Sequence, residues 1–212
     1  MASEQHSAQR RRQLIEATIA VIARQGLVGL RVADVAAAAG LSYGVVSFYF
    51  KSKERLLLAT LDHLAAEYEA AAAEAAAAAG PSAVDQLAAV LELDFSDRIA
   101  APEKIAAWTA FWSESRATPA FRKRCVELQD GFVALSRRLL HDALAESGRR
   151  ADVDRLAAGL NHLVTGLWVE LQLRGAKADR EEAKRVCRAY LDALFPQAAV
   201  GGSEPQGRAA AE

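Results

Sequence analysis

Apolar positions recur along this chain at helical spacing. Between Arg10 and Gln25, Leu14, Ala17, Ile19, Val21 and Ile22 return at nearly every third or fourth place, and Gly26 stands where a glycine ends a helix. The spacing predicts a first helix of about four turns, preceded by a disordered tail over 1–9. A short second helix is expected from about Val32 to Ala39 and a third from about Tyr43 to Phe48, with Gly40-Leu41-Ser42 between them. Ser42 is placed to cap the third helix by accepting from an early backbone N–H, and Ser52 is placed the same way before a long fourth helix that starts at Lys53. That helix carries Leu56, Leu57, Leu61 and Leu64 and runs through an alanine-rich stretch to Gly80-Pro81. The helix propensity of alanine makes the stretch a rigid rod instead of a linker.

Ser82 opens a helix to about Asp94, Pro102 one to about Arg116, and Pro119 one to about Ser147. Asp152 opens the next, to Arg174 with Gly175 beyond it. Asp179, followed three residues later by Glu182, resembles a capping box for the last, which ends near Phe195 before Pro196. No strand-like alternation and no internal repeat stand out, so the fold class is all-α, about nine helices. Residues 197–212 are rich in Gly, Ser, Pro, Glu and Ala and are expected to be disordered.

Composition agrees. Hydrophobic residues make up 52% of the chain, with alanine supplying much of it, and only 5 prolines and 13 glycines interrupt 212 residues. That length suffices for one or two domains with a sizeable core. Cys125 and Cys187 lie far apart with no partner at ligand spacing, so neither a disulfide framework nor a metal site is indicated, and no cofactor motif is present. No apolar stretch follows Arg10-Arg11-Arg12, and no charge-free run of eighteen apolar residues occurs; the chain is read as soluble and cytoplasmic, with no membrane partner.

The net charge of −1 conceals an asymmetry. Residues 1–55 hold eight Lys or Arg against four acids, for +4, whereas the remainder holds 18 basic and 23 acidic residues, for −5. A basic end on an acidic body points to polyanion binding confined to the first quarter.

The segment Val35 to Phe50 lies in that quarter. Two short helices crossing steeply need a small residue at the contact, a turn residue that tolerates positive φ, and apolar pins. Ala36, Gly40 and the set Val35, Leu41 and Val46 supply these. The outer face is then left to Ser42, Tyr43, Gly44 and Ser47, suited to contact in a major groove. Tyr49 and Lys53 follow where a hydroxyl and an ammonium can hold phosphates. An ordinary αα-hairpin with a glycine turn would share the small–Gly–apolar spacing but not this setting.

The run from Arg31 through Gly40-Leu41-Ser42-Tyr43-Gly44 to Tyr49-Phe50, Lys53 and Leu56-Leu57 resembles the DNA-binding domain of the TetR family of repressors. The resemblance implies a helix-turn-helix domain over 1–55, a helical regulatory and dimerisation domain over 56–196, and a tail over 197–212. It implies a repressor that binds double-stranded palindromic operator DNA as a homodimer and is released by a small-molecule effector. Arg31 departs from the family, which usually has Thr or Ser there; the cap is lost, and a phosphate contact is the expected gain.

Further on, Ala107-Trp108-Thr109-Ala110-Phe111-Trp112 and Thr165-Gly166-Leu167-Trp168 resemble the regulatory domain of the BetI-like subgroup, which controls choline and betaine metabolism. Trp108, Phe111 and Trp112 fall on one helical face with Ile105 and Ser115 near them, and Trp168 is expected to approach from the neighbouring long helix. Several rings around one cavity suit a quaternary ammonium or another organic cation. A stripe that merely fills the core and a pocket for a neutral apolar effector are the alternatives. Glu114 is a weak counter-charge, since helical geometry turns it away from both tryptophans. For the dimer, Leu156, Leu160, Leu163, Leu167 and Leu171 on one helix and Val186, Tyr190 and Leu194 on the next form candidate faces of a four-helix bundle.

An enzyme is the rival class, as is a ligand-binding helical protein without DNA binding. No nucleophile-elbow, zinc-protease or phosphate-loop motif occurs, and His6, His63, His141 and His162 are scattered, so no catalytic residue is assigned.

Overall fold

The computed structural model describes residues 2–196; the tail expected over 197–212 lies outside the described residues. Nine α-helices and one 3-10 turn make up the described chain, with no strand among the described residues. In order they are α1 (Ala2–Gln25), α2 (Val32–Ala38), α3 (Tyr43–Tyr49), α4 (Lys53–Ala78), α5 (Ala83–Leu93), α6 (Pro102–Glu114), α7 (Pro119–Glu146), α8 (Val153–Arg174), the 3-10 turn Gly175–Lys177, and α9 (Arg180–Leu194).

Helix starts follow the capping residues. The side chains of Ser42, Ser52, Ser82, Asp152 and Asp179 each accept from the backbone N–H three residues on. Pro102 and Pro119 sit in first turns, where a missing N–H costs nothing. The capping-box reading at Asp179 holds only by half, because Glu182 gives its carboxylate to Arg185.

The main correction is at the amino terminus, where α1 begins at Ala2 instead of following a disordered tail over 1–9. Once the buried turns around Leu14 and Ile15 nucleate the helix, residues 2–9 extend it without a second nucleation cost. They contain no Gly or Pro, Glu4 sits favourably in the first turn, and Arg10 hydrogen-bonds Gln13 one turn on at 2.9 Å. The 3-10 turn after α8 was likewise not expected; it follows from Gly175, whose φ of +53 breaks the helix.

One continuous core runs the length of the molecule. At one end, Leu14, Val21 and Ile22 of α1 are buried together with Val35 of α2, Val46 of α3 and Leu56, Leu57 and Leu61 of α4. The rod α4 then continues into a bundle with α5 and α7, which α8 and α9 complete, while α6 packs on α1 and joins the two ends. Charged groups tie the rod to its neighbours. Asp62 meets Arg124 of α7 at 2.6 Å, Glu67 meets Lys104 of α6 at 2.7 Å, and Glu74 meets Arg98 at 2.5 Å. Lys104 and Glu67 are half-buried and so are screened less than the other two pairs.

Candidate nucleic-acid interface and cavity

Helices α2 and α3 meet at 107°, within the range of a helix-turn-helix. Val35, Ala36 and Val46 are buried at the crossing, and Gly40 holds the turn at φ +64, where a β-carbon would be strained. Gln13 of α1 donates to the Ala39 carbonyl at 2.7 Å and fixes the hairpin to the first helix. Among the described residues no single helix is long and apolar enough to cross a membrane.

The residues predicted to touch DNA are placed unevenly. Tyr43 and Gly44 are exposed on α3, with Tyr43 60% accessible, and Ser47 is half-buried beside them. Ser42 is exposed, but its oxygen accepts from Val45 N at 3.4 Å as the cap. Tyr49 and Lys53 are half-buried at the end of α3 and the start of α4. Arg31 caps nothing; its guanidinium donates twice to Asp34, at 3.0 and 3.1 Å, and Gln25 donates to the same carboxylate at 3.0 Å.

Sequence reasoning passed over Phe48, which is 71% accessible on α3. It also missed His6 and Arg10, which line a groove with Gly44, Val45 and Phe48. Helical spacing could have found Phe48, one turn beyond Gly44 and opposite the buried Val46.

In the other half, a cavity lies among α4, α5, α6, α7 and α8 and leaves about 60 Å³ in which the centre of a water-sized sphere can move. That is room for about four waters or a compact head group. Aromatic rings form a continuous chain along it. Tyr68 meets Phe132 edge-on at 5.0 Å, Phe132 meets Trp108 at 5.9 Å, Trp108 lies 6.2 Å from Trp112, and Trp112 lies 6.4 Å from Trp168. Trp168 is anchored by donating its indole N–H to the Asp94 carbonyl at 2.9 Å.

The Asp94 carboxyl, 5% accessible at the end of α5, also lines the cavity. Burial pushes its pKa up to about 7, and the hydrogen bond from the Tyr68 hydroxyl pulls the other way. Burial, then the nearby Asp94, push the Tyr68 phenol well above its ordinary range. On another wall Gln129 donates to Asn161, and Ser136 and Thr165 stand near them; no basic side chain lines the cavity among the described residues.

The cavity gathers Trp108, Trp112 and Trp168 from the predicted set and leaves out Phe111 and Ser115. Phe111 is fully buried and packs edge-on against Phe121 at 5.6 Å, and the Ser115 hydroxyl donates to the Trp112 carbonyl at 2.7 Å. A stripe three and four residues apart is broad enough to straddle two directions, so Phe111 belongs to the core between α6 and α7. Glu114 is held by Thr118 at 3.3 Å, away from the rings. Asp94, Tyr68, Phe132, Gln129 and Asn161 were not foreseen. A wider cleft between α1, α6 and the end of α8 carries no such cluster of rings. Among the described residues no group of three or more His, Cys, Asp or Glu is arranged to hold a metal ion.

Comparison with known proteins finds two family matches along the chain. Residues 14–60 match the bacterial regulatory proteins of the tetR family, and residues 83–196 match the C-terminal domain of BetI-type transcriptional repressors. The chain is 36% identical over 194 residues to the HTH-type transcriptional regulator BetI of Paraburkholderia phymatum, covering 90% of this chain and 95% of that one. Among solved structures, a transcriptional regulator from Pseudomonas aeruginosa PAO1 superposes with a TM-score of 0.78 at 28% identity, over 89% of this chain and 91% of that one. A transcriptional regulator from Saccharomonospora viridis, in complex with choline, shares the fold with a TM-score of 0.75 at 22% identity, over 87% and 96% of the two chains. The helix-turn-helix, the all-helical body and these matches together show that the chain belongs to the TetR family of transcriptional regulators, with a C-terminal domain of the BetI type.

Proposed function

We propose that the chain is a repressor that binds a palindromic operator as a homodimer, through α3 of each subunit, and releases it when an organic cation occupies the cavity beside Asp94. In this reading residues 1–55 are the DNA-binding unit and 56–196 the sensing and dimerising unit. The protein acts in the cytoplasm and catalyses no reaction.

The observation that carries the ligand class is a buried carboxyl in a ring-lined cavity with no basic partner. A quaternary ammonium cannot donate hydrogen bonds, so it is held by ring faces and by an opposite charge. The ring chain from Tyr68 to Trp168 offers the faces and Asp94 the charge. A neutral apolar effector would offer that carboxyl nothing beyond the hydrogen bond from Tyr68 and would favour its protonated form, whereas a cation compensates the carboxylate directly. The choline complex of the S. viridis regulator, a protein of the same fold, agrees with this class.

The test is to titrate choline, betaine aldehyde and larger quaternary cations while following tryptophan fluorescence and release of DNA flanking the gene. Quenching and release by a cation below millimolar concentration support the reading. Response only to an uncharged aromatic or lipid-like compound would make the cavity an apolar sensor.

A further inference from the structure

We infer that Phe48 determines operator specificity by packing its ring against the 5-methyl group of a thymine in each half-site. The inference rests on the reading of α3 as the helix that enters the groove, and it names what that helix reads.

Position comes first. At about 100° per residue, Gly44 and Phe48 each lie roughly 160° round α3 from the buried Val46, so they occupy the ridge farthest from the core. Phe48 is 71% accessible there. At Gly44, one turn earlier, a β-carbon would meet only the Ser42 hydroxyl, at 3.8 Å. The backbone can therefore approach a duplex at Gly44 while the next turn presents the ring.

The ring is also braced. Tyr49 meets it edge-on at 5.3 Å, and the Lys51 ammonium lies 5.9 Å from its centroid, which holds the ring on the outer side of the helix end. Arg10, on the far side of the adjoining groove, and Lys51 bring positive charge for the phosphates that flank such a contact.

Chemistry then selects the partner. Bidentate reading of guanine takes Arg or Lys, and of adenine Asn or Gln. None of these occurs in α3, whose outward residues are Tyr43, Gly44, Ser47 and Phe48. A phenyl ring has no hydrogen-bonding group, and the apolar group on the major-groove edge of the bases is the thymine methyl.

The experiment selects duplexes from a random library with the full-length protein, then replaces each thymine of the selected site by uracil, which removes only the methyl. At one position per half-site, uracil should weaken the parent about fourfold, the worth of one buried methyl-sized group. The Phe48→Ala variant should bind thymine and uracil alike at that position, with an unchanged salt dependence because the ring neutralises no phosphate. The inference is overturned if no uracil position matters, if Phe48→Ala keeps the full uracil penalty, or if that variant alters self-association in place of base preference. Selection of no duplex at all would instead remove the DNA reading on which the inference stands.

Discussion

At the scale of residues, the chemistry of the cavity concentrates in Asp94. Its carboxyl is pushed up to about 7 by burial, so near neutral pH it is divided between acid and carboxylate, and a bound cation favours the carboxylate. Cation affinity should therefore rise as pH increases through about 7, with a proton released on binding below that point. The facing titratable groups are Tyr68 of α4 and Cys187 of α9, whose thiol is itself pushed up to about 12 by burial and by Asp94. Neither ionises in this range, which leaves the profile to Asp94. Asp94→Asn should weaken choline roughly 10- to 100-fold, the order of one lost charged contact, and flatten the pH profile in calorimetric titrations. Stability of the empty protein runs the other way. The folded state holds the proton that the unfolded chain has given up, so stability falls as pH rises from about 4 to about 7. Asp94→Asn should be more stable than the parent above that window and equal to it below, measured as Tm against pH. The sequence announced Trp108 and Trp112 through their spacing and Trp168 through the resemblance, but not this carboxyl. Asp94 is one of 27 acidic residues, at a helix end and in no motif, and only the packing of α4, α8 and α9 on α5 distinguishes it. Phe111 failed in the opposite sense, since a stripe shows that residues share a helix face without showing which neighbour that face meets.

At the scale of elements, local chemistry made most of the helices legible. Every capped start coincides with a Ser or Asp that accepts from the third N–H on, and each proline-led helix begins at its proline. Where no cap spoke, as at the start of α1, the boundary depended on propagation from buried turns and was not legible. Ser42 has a structural duty in that scheme, so Ser42→Ala should destabilise the helix-turn-helix by about 1 kcal/mol, seen as a lower denaturation midpoint, besides any effect on DNA. Lys53 and Tyr43 separate more cleanly. Lys53→Ala should weaken binding to every duplex and flatten its dependence on salt, as loss of a phosphate contact requires, whereas Tyr43→Ala should also change which bases are preferred. Equal behaviour of both variants and the parent in salt-dependent gel shifts would remove these residues from the interface. Arg31 is already committed to Asp34 in the free protein, so a phosphate contact there must compete with that pair.

At the scale of the whole molecule, two ends must communicate, and α4 belongs to both, as does α6 through its packing on α1. The first turns of α4 bury Leu56, Leu57 and Leu61 against the helix-turn-helix, and Tyr68, two turns on from Leu61, reaches the Asp94 carboxyl in the cavity. In the proposed reading, a cation that ionises Asp94 strengthens the hydrogen bond from Tyr68, which makes α4 the expected route from the cavity to the helix-turn-helix. Such a shift matters only if two recognition helices are held at a fixed spacing, about one DNA turn, which requires a dimer. The leucine row on α8 is partly spent on the subunit itself, since Leu160 and Leu171 are buried and Leu156, Leu163 and Leu167 half-buried. What remains outside is Val169, 41% accessible, and Leu173, 82% accessible, with the open Gly166 one turn before them. Val186, Tyr190 and Leu194 of α9 are half-buried. A glycine beside exposed apolar residues lets another helix approach closely, which favours these two helices as the four-helix seam. Leu173→Glu combined with Val169→Glu places charges in that seam without touching either core. Sedimentation at micromolar concentration should then give a monomer where the parent gives a dimer. Operator affinity should fall at least a hundredfold as the second half-site ceases to be tethered, while choline still quenches tryptophan fluorescence. A parent that sediments as a monomer, or a doubly charged variant that stays dimeric, would move the interface elsewhere.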